Sequence, residues 1–72
     1  MERDVPIRGD TIRLGQLLKL AGLIDAGGEA AAYLTAMPVT VNGEAETRRG
    51  RQVHRGDLVV AGGEALRIVA GA

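Results

Sequence analysis

The chain has 72 residues, a length that makes one small domain burying only about 60% of its unfolded surface and leaves no room for a second domain or a deep catalytic cleft. Nine basic and nine acidic side chains cancel, so the whole-molecule field marks no partner and any charge-based recognition has to be local. With no cysteine there is no disulfide framework, thiolate metal site or cysteine nucleophile, and with Tyr33 as the only aromatic residue there is no base-stacking platform of the kind single-strand binders use.

Met1-Glu2-Arg3-Asp4 carries both signs of charge and leads into no long apolar run, so neither a signal peptide nor a membrane anchor is expected, and a reducing cytoplasm is the expected location. Val5-Pro6-Ile7-Arg8 has strand-like residues around a proline, which suits an edge strand, and Gly9-Asp10 reads as a turn. From Leu14 the apolar residues fall at Leu14, Leu17, Leu18 and Ala21, the spacing of one helical face, and Gly22 supplies the stop. Arg13, Gln16 and Lys19 recur every three residues beside those leucines and form a polar stripe, either a solvated side or a contact surface. A second helix is predicted from about Ala26 to Ala36, rich in alanine, bulked by Tyr33 and Leu34 and ended by Pro38. Its cap is incomplete: Glu29 holds the acidic place of a capping box, but Ala26 has no hydroxyl, so the first turn is expected to fray.

Val39-Thr40-Val41 followed by Asn42-Gly43 is a hairpin signal, because both central residues of the favoured turn need positive φ. The chain then enters its most polar stretch. Between Thr47 and Gly56 lie Arg48, Arg49, Arg51 and Arg55, with His54 and no acid, directly after Glu44 and Glu46. Arginines on ordered backbone can match a row of phosphates, so the patch is a candidate nucleic-acid surface; the plainer alternative is a solvated loop. Beyond it, Gly56-Asp57 is a turn with Asp57 capping its own backbone, Leu58-Val59-Val60 a strand, Gly62-Gly63 a hairpin loop and Leu66–Val69 a closing strand. The expected fold class is therefore α+β: two N-terminal helices packed on one face of a small, mostly antiparallel sheet, as a single domain over residues 1–72 with its core at about 5–69.

Leu17-Leu18-Lys19-Leu20-Ala21-Gly22-Leu23, then Gly27-Gly28-Glu29-Ala30, Val41-Asn42-Gly43-Glu44 and Glu46-Thr47-Arg48-Arg49-Gly50-Arg51, in that order, resemble the RNA-binding domain named for small-subunit ribosomal protein S-four. The likeness is to its stand-alone bacterial subgroup and spans about Val5 to Val69. The resemblance implies an alpha-L type fold, no catalysis, no cofactor, and a partner that is structured RNA, ribosomal or transfer, in ribosome assembly or translation. It implies no membrane partner and no small-molecule substrate. It places Arg13 and Lys19 at basic positions of the first helix, Asn42 at the hairpin turn, and Arg48, Arg49 and Arg51 in the basic segment after it. Arg55 and His54 join that set by proximity alone. Ala31, Thr40 and Gln52 stand where the family usually has basic residues, and Ala26 where it has a serine cap, which bears on RNA affinity.

Two other classes stay open. A β-grasp sulfur carrier shares the Val-Asn-Gly-Glu hairpin and similar length, but it needs a terminal Gly-Gly, where this chain reads Val69-Ala70-Gly71-Ala72. A protein-interaction domain that has lost RNA binding would use the same arginines on acidic groups. An enzyme is disfavoured, since the chain has no serine, no cysteine and one histidine, and no metal site is expected from a lone histidine.

Overall fold

The computed structural model describes residues 2–71; Met1 and Ala72, which enter the reading of the two chain ends, lie outside the described residues. The chain begins with strands, not helices: β1 (Glu2–Ile7) and β2 (Thr11–Arg13) precede helix α1 (Leu14–Leu20). The edge strand expected around residues 5–8 is present within β1, but it belongs to the main sheet, and with β2 it corrects the expected order of two helices followed by a sheet. The physical reason is a long-range pairing: β1 lies parallel to the last strand, β7 (Glu64–Ala70), from Glu2 against Ala65 to Ile7 against Ala70. β1 is an edge, which is where Pro6 and its missing N–H are tolerated.

The rest of the main sheet is antiparallel. β3 (Val39–Val41) and β4 (Glu44–Ala45) form a hairpin, and β6 (Leu58–Ala61) joins β3 to β7, in the order β1-β7-β6-β3-β4. Asn42 has φ of 51° and Gly43 of 85°, as the two-residue turn demands. A second, two-stranded sheet pairs β2 with β5 (Gln52–His54), each carrying one central apolar residue, Ile12 and Val53.

Period-two alternation decides what the main sheet buries: Val5 and Ile7, Val39 and Val41, Val59 and Ala61, Leu66 and Ile68 all point inward. Against that face pack Leu14, Leu17 and Leu18 of α1, with Ala30 and Leu34 of helix α2 (Ala30–Ala36), so the helices cover one face as expected. α1 ends in a Schellman motif at Gly22, φ 81°, whose N–H donates to the Lys19 carbonyl while the N–H of Leu23 donates to that of Leu18. The start of α2 is a 3-10 turn over Gly27–Glu29. There the Glu29 carboxylate accepts the N–H groups of Asp25 (2.7 Å) and Ala26 (3.2 Å), but Ala26 supplies no side-chain acceptor, so one half of the capping box exists and the first turn is not α-helical.

Candidate nucleic-acid interface

The hairpin turn sets where the charged segment starts. With Val41 opposite Glu44 and Thr40 opposite Ala45, the next position brings Glu46 opposite Val39, and the Glu46 N–H does donate to the Val39 carbonyl at 2.9 Å. Val39 faces the core, so Glu46 turns inward too and is 7% exposed. A buried carboxylate needs partners, and this one has five. It accepts the backbone N–H groups of Thr47 and Arg48 (both 3.1 Å), Nε and Nη2 of Arg48 (3.1 and 3.2 Å), and Nη1 of Arg51 (2.7 Å). The Arg48 and Arg51 side chains, with the Arg48 N–H, hold the Glu46 carboxyl well below the usual carboxylate range.

The same loop is docked on α1 through its backbone. The first helical N–H groups, which have no partner within the helix, donate to loop carbonyls: Leu14 to Arg51 at 2.8 Å and Gly15 to Arg49 at 2.9 Å. Gly15 makes the approach possible, because a Cβ there would sit 3.2 Å from Cβ of Ala30 and 3.4 Å from both Cβ and the carbonyl oxygen of Arg49. The result is an open groove of about 230 Å³ between α1, the start of α2 and the loop. Arg13 and Gln16 line one side and Arg49 and Gly50 another, with Gly15, Gly27 and Ala30 completing it.

The expected site residues divide by what their side chains already hold. Arg13, Lys19 and Arg49 are exposed and, with Arg8, are the basic residues that have no carboxylate partner among the described residues. Lys19 and Gln16 border a shallow depression with Ile12 and Leu20, so the helical stripe continues from the groove. Arg48 and Arg51 are committed on one edge to Glu46, yet the Arg48 side chain stays 74% exposed and that of Arg51 33%. Arg51 therefore makes a structural contact as well as presenting a partly exposed edge.

The structure does not bring Arg55 to the loop. β5 intervenes, roughly 13 Å of strand between positions 51 and 55 at about 3.3 Å per residue. Arg55 instead donates Nε to the Gly9 carbonyl (3.0 Å) and Nη2 to that of Arg8 (3.2 Å), tying down the turn between β1 and β2. Asn42 is equally occupied: its Nδ2 donates to Asp57 (3.0 Å) and its Oδ1 accepts the Leu58 N–H (2.9 Å). Burial pushes the Asp57 carboxyl up, but the Asn42 amide and the His54 N–H, bound at 2.8 Å, outweigh it and the net direction is down. Asp57 caps its own turn, as expected of its Gly-Asp context.

Glu46 is the organising residue that a charge run conceals. The signal that could have found it is the hairpin register, since counting outward from Asn42-Gly43 places it opposite an inward-facing valine.

The S4 domain family matches residues 5–69 of the chain. The chain is also similar to the "Probable ribosome maturation protein RlbA" of Bacillus subtilis (strain 168), with 44% identity over 59 residues, covering 82% of this chain and 83% of that protein.

Proposed function

The chain belongs to the S4 domain family, and from that premise we propose that it is a non-catalytic RNA-binding protein of the bacterial cytoplasm, acting on structured ribosomal or transfer RNA in ribosome assembly or translation. The observation that carries this reading is the groove in which unpaired Arg13 and Arg49, from distant parts of the chain, meet on backbone fixed by hydrogen bonds. Guanidinium groups carried on backbone fixed in this way offer planar donor forks from two sides of one groove, which suits phosphate oxygens. Lys19 extends the cationic line along α1, and the outward edges of Arg48 and Arg51 add to it. Tyr33, the one aromatic residue of the sequence, is half-buried and does not line the groove, which favours recognition through backbone and shape, the mode suited to folded RNA. The resemblance to a relative named for ribosome maturation supports a ribosomal process over other RNA partners.

The test is affinity for 16S and 23S ribosomal RNA and for a labelled RNA hairpin, measured across salt concentrations. The reading expects affinity to fall with salt, and the Arg13→Glu/Arg49→Glu variant to lose binding and to keep its fold. Affinity independent of salt, or a charge-reversed variant that binds as well as the parent, contradicts it.

A further inference from the structure

The loop that carries three arginines has a buried acid at its root, and the acid is electrostatically wrong for a phosphate-binding surface: Glu46 cancels one of the charges of Arg48, Arg49 and Arg51. Removing it would raise the local positive potential. Its hydrogen bonds explain what it does instead. One carboxylate gathers two successive backbone N–H groups at the start of the loop, the Nε and Nη2 edge of Arg48, and Nη1 of Arg51 at the loop's end. Arg49 and Gly50 lie between those two clamped points. Position 50 has open space around it and the segment belongs to no strand; beyond those to the carboxylate, the loop's hydrogen bonds among the described residues are that of the Arg51 N–H to the Arg48 carbonyl (3.2 Å) and those its two carbonyls accept from α1.

We propose that Glu46 is a positioning residue for RNA binding, which fixes Arg48 and Arg51 from behind and so holds Arg49 at the groove opposite Arg13. The inference rests on the reading that the groove binds RNA. A flexible arginine loses conformational freedom when it meets a phosphate, and a clamp that removes this freedom before binding lowers that cost. The charge lost to Glu46 is the smaller effect, because Arg48 keeps its outer edge exposed and the acid lies beneath the surface.

The two effects have opposite signs in one variant. Counting charges, Glu46→Gln tightens binding; by positioning, it loosens binding about tenfold, the equivalent of ordering one or two side chains at the interface. Affinity for a fluorescently labelled RNA hairpin is measured at a temperature where both proteins give the same circular dichroism. A second comparison adds Arg49→Gln to each background: if Glu46 acts by placing Arg49, losing Arg49 costs less affinity in the Glu46→Gln protein than in the parent. Equal or tighter binding by Glu46→Gln overturns the inference, as does a lowered melting temperature with unchanged affinity, which is what a merely structural role gives. Should Glu46→Gln not fold, Glu46→Asp keeps the charge and retracts the carboxylate by one methylene; weaker binding is expected, and unchanged binding overturns the proposal. A parent that binds neither the hairpin nor ribosomal RNA defeats the RNA-binding reading itself, and this inference with it, whereas a parent that binds normally confines any failure to Glu46.

Discussion

The sheet and the arginine loop hold their backbones by opposite means. In the sheet, order comes from apolar alternation: eight inward side chains across four strands, each at most 5% exposed, pack under α1 and α2. In the loop over 47–51 no side chain is buried, and order comes from one inward carboxylate and from two carbonyls that complete the N-terminus of α1. The difference teaches that arginines in one run are not equivalent. Arg48 and Arg51 belong in part to the fold, Arg55 serves a distant turn, and Arg49 alone of the four has a side chain with no hydrogen-bond or ion-pair partner among the described residues.

The strongest way to break the comparison is at the core. Leu17 is fully buried where α1 meets the sheet, so Leu17→Ala is expected to cost about 2–5 kcal/mol, enough to leave a domain of this size largely unfolded in urea melts. A cost below about 1 kcal/mol would mean that packing is not what holds the sheet.

Within the loop, charge reversal separates two neighbours. Arg51→Glu sets an acid against Glu46 and is expected to destabilise by about 2 kcal/mol, less than for a fully buried pair because Arg51 is one-third exposed. Arg49→Glu is expected to stay within about 0.5 kcal/mol of the parent while losing RNA affinity. Equal melting temperatures for the two variants would erase the distinction between clamped and unclamped arginines.

Asn42 offers a third comparison, at the hairpin. Asn42→Ala removes both hydrogen bonds to the Asp57-Leu58 turn and puts alanine at positive φ, for an expected loss of about 1–2 kcal/mol. RNA affinity of the folded variant should not change; a loss of affinity at unchanged stability would return Asn42 to the contact surface.

Acid sharpens the contrast further. Glu46 and Asp57 both titrate lower in the fold than in the open chain, so the unfolded state binds more protons between their two sets of values. The stability they contribute is complete above the unfolded values of about 3.9–4.3 and is lost as pH falls through the folded ones. Denaturation midpoints should therefore fall as pH drops below about 4.5, and Glu46→Gln should flatten that fall; an equal slope in parent and variant would place the acid sensitivity elsewhere.

Much of the fold is legible in the residues themselves. The leucine spacing and Gly22 define α1, Asn42-Gly43 and Gly62-Gly63 mark the hairpins, and Pro6 marks an edge. The parallel partner of that edge is not legible, because alternation at Val5 and Ile7 says which face is buried but not which distant strand lies alongside. β2 and β5 are three residues long with one inward side chain each, too short for any period to show. At the site, residue type picks out the arginines, but their division of labour depends on Glu46, and a carboxylate beside a cationic run looks the same in sequence whether it is solvated or buried.

The groove is tested most directly by mapping amide chemical shifts of the 15N-labelled protein during titration with a labelled RNA hairpin or a ribosomal RNA fragment. The expected changes concentrate at Arg13, Gln16, Lys19 and residues 48–51, with His54, Arg55 and Asn42 little affected. Changes centred on Arg55 and the β1–β2 turn, or spread evenly over the sheet, would contradict the assignment of RNA binding to the groove between α1 and the arginine loop.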